Sequence, residues 1–240
     1  MKIVSINQPA YLPWLGHLHR IAASDCHIVL DHVQFEKNSF VNRNKVRTGN
    51  GSCWLTVPVK TKGKFGELPI RALEINNEVP WREKHWKTMA QSYGKAPFWQ
   101  DHRPFFEEVY KQEWRLLADL CRTVTSYLLK AFCIATPLLS SSDMEPHGRK
   151  DELVLDLCLK AGAEMYLSGP LGRNYLREEI FAGRGIEVRY QDYIHPEYAQ
   201  AFKGFEPFMA GIDLLFNHGP ESHRILLSGN GIGCCAKENS

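Results

Sequence analysis

Gln8, Tyr11, His17 and Asp31 are the residues whose chemistry and spacing stand out first in this 240-residue chain. Gln8 and Tyr11 follow the apolar run Lys2-Ile3-Val4-Ser5-Ile6, and Asp31 closes a second run, Cys26-His27-Ile28-Val29-Leu30. An amide, a phenol and a carboxylate placed after strands converge where open α/β sheets hold ligands, beyond the strand carboxyl ends. Asp31 and His17 are the candidates for handling a proton, and Gln8 and Tyr11 for binding. Asn42-Arg43-Asn44-Lys45 adds a second group. Arg43 offers a planar fork to a carboxylate or phosphate, and Asn42 an amide to a sugar hydroxyl. The alternative reading of that stretch is a solvated loop with Asn in left-handed turn positions. The expectation is that Gln8, Tyr11, Asp31, Asn42 and Arg43 line one pocket.

Further along, Ser168 and Gly169 end a strand pattern and open a small-residue loop that lets backbone approach a ligand, with Tyr175 beyond it. The G-x-S-x-G spacing of a nucleophile elbow is missing, so Ser168 reads as a binding hydroxyl or turn former. Gln191 and Tyr198 follow a later strand and join the candidate binding residues. Ser142 or Asp143 reads as a helix cap. Asp213 sits in the apolar run Phe208 to Phe216, where an acid is costly unless it is partnered; Arg43, a backbone donor and a tyrosine are the alternatives. The ten histidines form no H-E-x-x-H or compact His/Cys pattern, so no metal is expected. The seven cysteines lack a C-x-x-C pair and read as buried, reduced thiols.

The elements that must position these residues alternate strand and helix. Strands are expected at 2–6, 26–31, 54–60, 68–75, 137–139, 164–167 and 186–190. Helices are expected after Trp14 and at 81–93, 104–132 and 150–161, with an irregular loop over 35–50 and a turn at 61–66. The fold class is therefore α/β, Rossmann-like, with a largely parallel sheet flanked by helices and a helical segment around 81–132. Residues 1–227 form one domain, and 228–240, rich in glycine, a loosely ordered tail. A net charge of +2 from interleaved acids and bases gives no footprint for nucleic acid. No apolar stretch reaches a membrane span and the chain opens directly into a strand, so the expected location is cytoplasmic.

Gln-Pro-x-Tyr-Leu-Pro-Trp-x-Gly from Gln8, then Leu30-Asp31-His32-Val33-Gln34-Phe35, Asn42-Arg43-Asn44, Trp54-Leu55-Thr56-Val57-Pro58-Val59, Tyr166-Leu167-Ser168-Gly169, Gln191-Asp192-Tyr193 and His195-Pro196-Glu197-Tyr198 resemble the WbqC-like family in content and order. His17 stands where that family more often carries Tyr. The resemblance implies a place among genes of bacterial O-antigen and other surface-sugar assembly. Trp14-Leu15-Gly16-His17 also looks like a degenerate His-x-Gly-His signature of nucleotidyltransferases and adenylate-forming ligases, in which a helix start meets phosphates. The alternative is that Gly16 allows close packing and Trp14 anchors a core.

The leading expectation is a transferase or ligase that modifies an amino sugar or related amine by N-acylation or amide formation. Its partner is a small molecule, free or nucleotide-linked, and its co-substrate a nucleotide or an acyl or aminoacyl donor. The alternatives are a noncatalytic nucleotide-sugar binding or scaffold protein and a nucleotidyltransferase-like enzyme.

Overall fold

The computed structural model describes residues 1–63, 66 and 68–228. The chain runs β1 (Ile3–Asn7), α1 (Leu15–Ala22), β2 (Cys26–Val29), β3 (Arg43–Thr48), β4 (Gly51–Thr56), α2 (Trp81–Tyr93), α3 (Trp99–Lys111), α4 (Leu117–Ala131), β5 (Leu138–Ser140), α5 (Asp151–Lys160), β6 (Met165–Ser168), α6 (Glu178–Ala182), β7 (Glu187–Tyr190), α7 (Gly211–His218) and α8 (Ser222–Leu227), with short 3-10 turns between. Five strands pair in the order β5-β2-β1-β6-β7, every pairing parallel, so the fold is the expected α/β, Rossmann-like sheet between helices. The order reverses at β1: the chain grows outward through β2 and β5, then returns to the other side of β1 for β6 and β7.

Alternation along the strands divides the sheet faces. Val4 and Ile6 of β1, Cys26 and Ile28 of β2 and Tyr166 of β6 pack with Leu153, Val154, Leu157 and Cys158 of α5 and Phe181 of α6. The larger apolar cluster lies beyond the opposite face, where Leu15, Leu18 and Ile21 of α1 meet α3, α4 and α7 through Phe106, Leu120, Val124, Leu128 and Phe216.

Three expectations need correction. Residues 43–48 are a strand, not part of a loop: β3 pairs antiparallel with β4 across the two-residue turn Gly49-Asn50, and the Asn44 amide is committed to the Leu12 carbonyl. Residues 68–75 are not a strand; Ile70–Ala72 forms a 3-10 turn whose Ile70 and Arg71 N–H groups donate to the carbonyls of Val33 and Asp31. The helix expected over 104–132 is two, because Glu74 and Leu116 form an antiparallel bridge that holds the chain between α3 and α4 extended. Pro104 is accommodated inside α3. The tail beyond residue 228, and residues 64 and 65 of the expected 61–66 turn, lie outside the described residues.

Candidate functional site

The sheet face under α1 is polar where a parallel sheet is ordinarily apolar. Ser5 and His27 are register partners, and Asn7 follows Ser5 on the same face. The Ser24 hydroxyl lies 2.7 Å from the Arg20 carbonyl, which only accepts, so its single proton goes there. Ser24 therefore accepts from Ser5 at 2.8 Å, and Ser5 accepts from His27 Nδ1 at 2.7 Å. That ordering fixes His27 as the Nδ1–H tautomer. Asn7 is fixed from the other side: its Oδ1 accepts the Gln8 N–H, so its Nδ2 donates to His17 Nδ1 at 2.9 Å and His17 carries its proton on Nε2. Burial is the main force holding both rings neutral. It pushes His17 down to about 3, with the Arg20 charge adding to the effect, and His27 well below the usual imidazole range.

Both imidazoles line a cavity of about 210 Å³ between this face and the helices above it. Its floor is His27, Val29, Leu138 and Ser140; α1 and α4 close it with His17, Ile21, Cys121 and Thr125. Gln8 and Asp31 stand among its lining residues, and Arg122, exposed on α4, donates to Ser140 Oγ at 3.2 Å. One ring supplies an N–H and the other an unprotonated nitrogen, so the cavity suits a small molecule with both an acceptor and a donor.

The expected five-residue pocket divides. Gln8 and Asp31 share the cavity with His17, while Tyr11 is fully buried elsewhere, its hydroxyl against His85 Nδ1 (2.9 Å) and Tyr110 (2.6 Å). The Asp31 carboxylate accepts from Ser141 Oγ, Ser142 N and Ser142 Oγ at 2.9–3.0 Å, which ties the end of β2 to the turn after β5. Asn42 and Arg43 meet in a second hollow of about 210 Å³ with Phe35, Asn38 and Thr56. There Arg43 donates to Asn38, its guanidinium lies 4.4 Å from the Trp54 ring centroid, and Asn42 Oδ1 is buried without a partner among the described residues.

Gln191 and Tyr198 are buried in structural contacts. Gln191 donates to the Gly16 carbonyl at 3.0 Å and to His19 Nδ1 at 2.8 Å. Tyr198 donates to Asp213, as do Tyr93 and Gln200, which identifies tyrosines and an amide as the partners of that acid. Burial raises the Asp213 pKa against the pull of these donors. Ser168, Gly169 and Tyr175 gather at the end of β6, where the Ser168 hydroxyl donates to the Gly169 carbonyl at 3.1 Å. Gly16 leaves room for the Trp14 ring, since a Cβ there would lie 2.2 Å from it.

His27, Arg122 and Arg20 escaped the reading of the sequence. For His27 a signal existed: Ser5, Asn7 and His27 place polar side chains at alternating positions of strands that helices cover on both sides. Cys121 lines the cavity, but burial pushes its thiol well above the usual range, away from the reactive thiolate. Among the described residues no three His, Cys, Asp or Glu side chains are grouped to hold a metal, and no helix is long and apolar enough to cross a membrane.

A parallel sheet with helices on both faces and a polar cavity at the carboxyl ends of β1, β2 and β5 makes this an α/β, Rossmann-like protein. The chain belongs to the WbqC-like protein family, which it matches over residues 8–225. It is also 36% identical over 227 residues to a Mycobacterium tuberculosis (strain ATCC 25618 / H37Rv) protein described as "Uncharacterized protein Rv1507c", covering 92% of this chain and 96% of that one. No solved structure matches it significantly.

Proposed function

We propose that the protein is a transferase or amide-forming ligase that acylates an amine-bearing small molecule, in the first instance an amino sugar of surface-polysaccharide assembly. The carrying observation is the pair of neutral imidazoles with opposite roles in one cavity. His27 Nε2 accepts a hydrogen bond from the amine and takes its proton as nitrogen bonds to the acyl carbon; the adduct then breaks the bond from that carbon to the donor's thioester sulfur or phosphate oxygen, which leaves as thiol or phosphate. The His27-Ser5-Ser24 chain holds that ring in the required tautomer. His17 Nε2–H is the complementary donor, for the oxygen that gains charge. Gln8 and Arg122 sit where the hydroxyls of a sugar would meet them, and Asp31 anchors the rim. A cytoplasmic setting fits, since nucleotide and acyl donors are available there and free thiols stay reduced.

The test is incubation with amino sugars, free and nucleotide-linked, together with acyl-coenzyme A or with ATP and amino acids, reading amide formation by mass. Product that disappears in a folded His27→Leu variant supports the reading. Undiminished product in that variant, or none with any pairing, overturns it. A noncatalytic sugar- or nucleotide-binding role is the second reading; it is favoured by a His17 held at about 3 and an Asp31 carboxylate already engaged by three donors.

A further inference from the structure

One turn after His17 on α1, Arg20 reaches the end of β6. A Cβ added to Gly169 would lie 2.4 Å from Arg20 Nη1 and 3.1 Å from Cζ, so this glycine is what gives the guanidinium its place. Arg20 is only 8% exposed. Among the described residues nothing pairs with it: no carboxylate stands within ion-pair distance, no acceptor takes a guanidinium hydrogen bond, and Nε is wholly buried and unpartnered. Its neighbours are the phenols of Tyr166 and Tyr175 and the imidazoles of His17, His19 and His27. Those rings are neutral, with His17 held at about 3 and His19 at about 4, so they supply no counter-charge.

A buried cation without a counter-ion is costly, and arginine does not escape the cost by losing its proton. Chains keep such a group where a ligand completes it. The location agrees: Arg20 and Gly169 stand where the strand order reverses between β1 and β6, the place where open α/β sheets generally take their ligands. Tyr175, half-exposed, and the Ser168 hydroxyl stand at the same strand end.

We infer that Arg20, seated against Gly169 at the β1/β6 reversal, is the floor of a binding site for a phosphate group, with Tyr175 at its mouth. The guanidinium fork matches two phosphate oxygens, and the missing side chain of Gly169 is what lets the fork lie against the end of β6. The site stands whether or not the histidine cavity forms amides. A free diphosphate, a nucleoside triphosphate and a nucleotide sugar all carry the required group, and the test separates them.

The full chain is followed by thermal shift and calorimetric titration at constant ionic strength with inorganic pyrophosphate, ATP and UDP-N-acetylglucosamine, for wild type, Arg20→Met, Gly169→Ala and the surface control Arg189→Ala. The expected result is that at least one probe stabilises the wild type and the control alike. Arg20→Met and Gly169→Ala then bind it roughly ten- to a hundredfold more weakly. Without ligand, Arg20→Met melts above the wild type, because the unpaired charge is gone; a purely structural arginine gives the reverse. Response to pyrophosphate identifies a simple phosphate site, and response to ATP or the nucleotide sugar alone identifies the corresponding nucleotide. The inference is overturned by no response of the wild type to any probe at millimolar concentration. It is equally overturned by equal affinity in Arg20→Met or, should that variant not fold, by unchanged affinity in Gly169→Ala.

Discussion

The two faces of the parallel sheet are built from the same strands and have opposite chemistry. Toward α5 and α6, Val4, Ile6, Cys26 and Ile28 give a dry, apolar contact. Toward α1 and α4, Ser5, Asn7 and His27 give a hydrogen-bonded layer with a cavity above it. Covering a strand on both sides favours apolar residues throughout, because each buried polar group must find a partner or lose about 1–3 kcal/mol. The first face follows that rule and holds the sheet together. The second satisfies its polar groups in chains that also orient two imidazoles. Alternate residues of the same strands thus carry opposite chemistry, one set keeping the sheet folded and the other lining the cavity.

The largest expected effect lies on the apolar face: Ile28→Ala should lower stability by about 2–5 kcal/mol, measured by urea unfolding, and leave the tautomers of the opposite face as they are. A loss below about 1 kcal/mol would break the division of labour.

Acid comes next. The folded-state pKa values of His17 and His27 lie below the unfolded value, so from about pH 6.5 downward the unfolded chain binds more protons and stability falls. Each such histidine contributes a slope of about 1.4 kcal/mol per pH unit, or about 2 kcal/mol between pH 6.5 and 5. Urea unfolding across that range should therefore show a slope shallower by one histidine in the double variant Ser5→Val/His27→Leu; equal slopes would mean that His27 is not held neutral by burial.

A smaller effect distinguishes single from paired changes. Ser5→Ala removes the acceptor of His27 and the donor to Ser24 and should cost about 1–2 kcal/mol, whereas Ser5→Val/His27→Leu, which makes the face apolar, should be near neutral in stability. On the reading proposed above, the double variant is also without amide-forming activity. A double variant less stable than Ser5→Ala would show that the polar layer exists for the fold. Smallest of all, Arg122→Ala should change stability by less than about 0.5 kcal/mol, since Arg122 is exposed, and should raise KM for the amine with little change in kcat. An unchanged KM would take Arg122 out of the site.

Much of the sheet was legible because its strands are short, apolar and bounded by turn residues: β1, β2, β5, β6 and β7 all fall within a residue or two of their expected places. The β3-β4 hairpin was not, because Arg43-Asn44-Lys45 is polar and takes strand form by pairing with Trp54-Leu55-Thr56 and by giving the Asn44 amide to Leu12. The break between α3 and α4 was equally hidden, being made by a bridge to Glu74 far away in the chain. Within the site, a position after a strand told that Gln8 and Tyr11 lie near a carboxyl end. It did not tell that two backbone bonds from the Tyr11 N–H to Phe40 and Val41 accompany a ring turned inward toward His85 and Tyr110.

The class of fold, the family and the places where strands end can be read from the amino-acid sequence, since they rest on local periodicity and on motifs in order. Contacts between distant segments settle which side chains share a cavity, that Asp31 is engaged by Ser141 and Ser142, and that Arg20 is buried beside Gly169 with no counter-ion among the described residues. The reason is physical. Burial, tautomer and charge pairing depend on what distant segments bring within a few ångströms, and no window of the chain contains both partners.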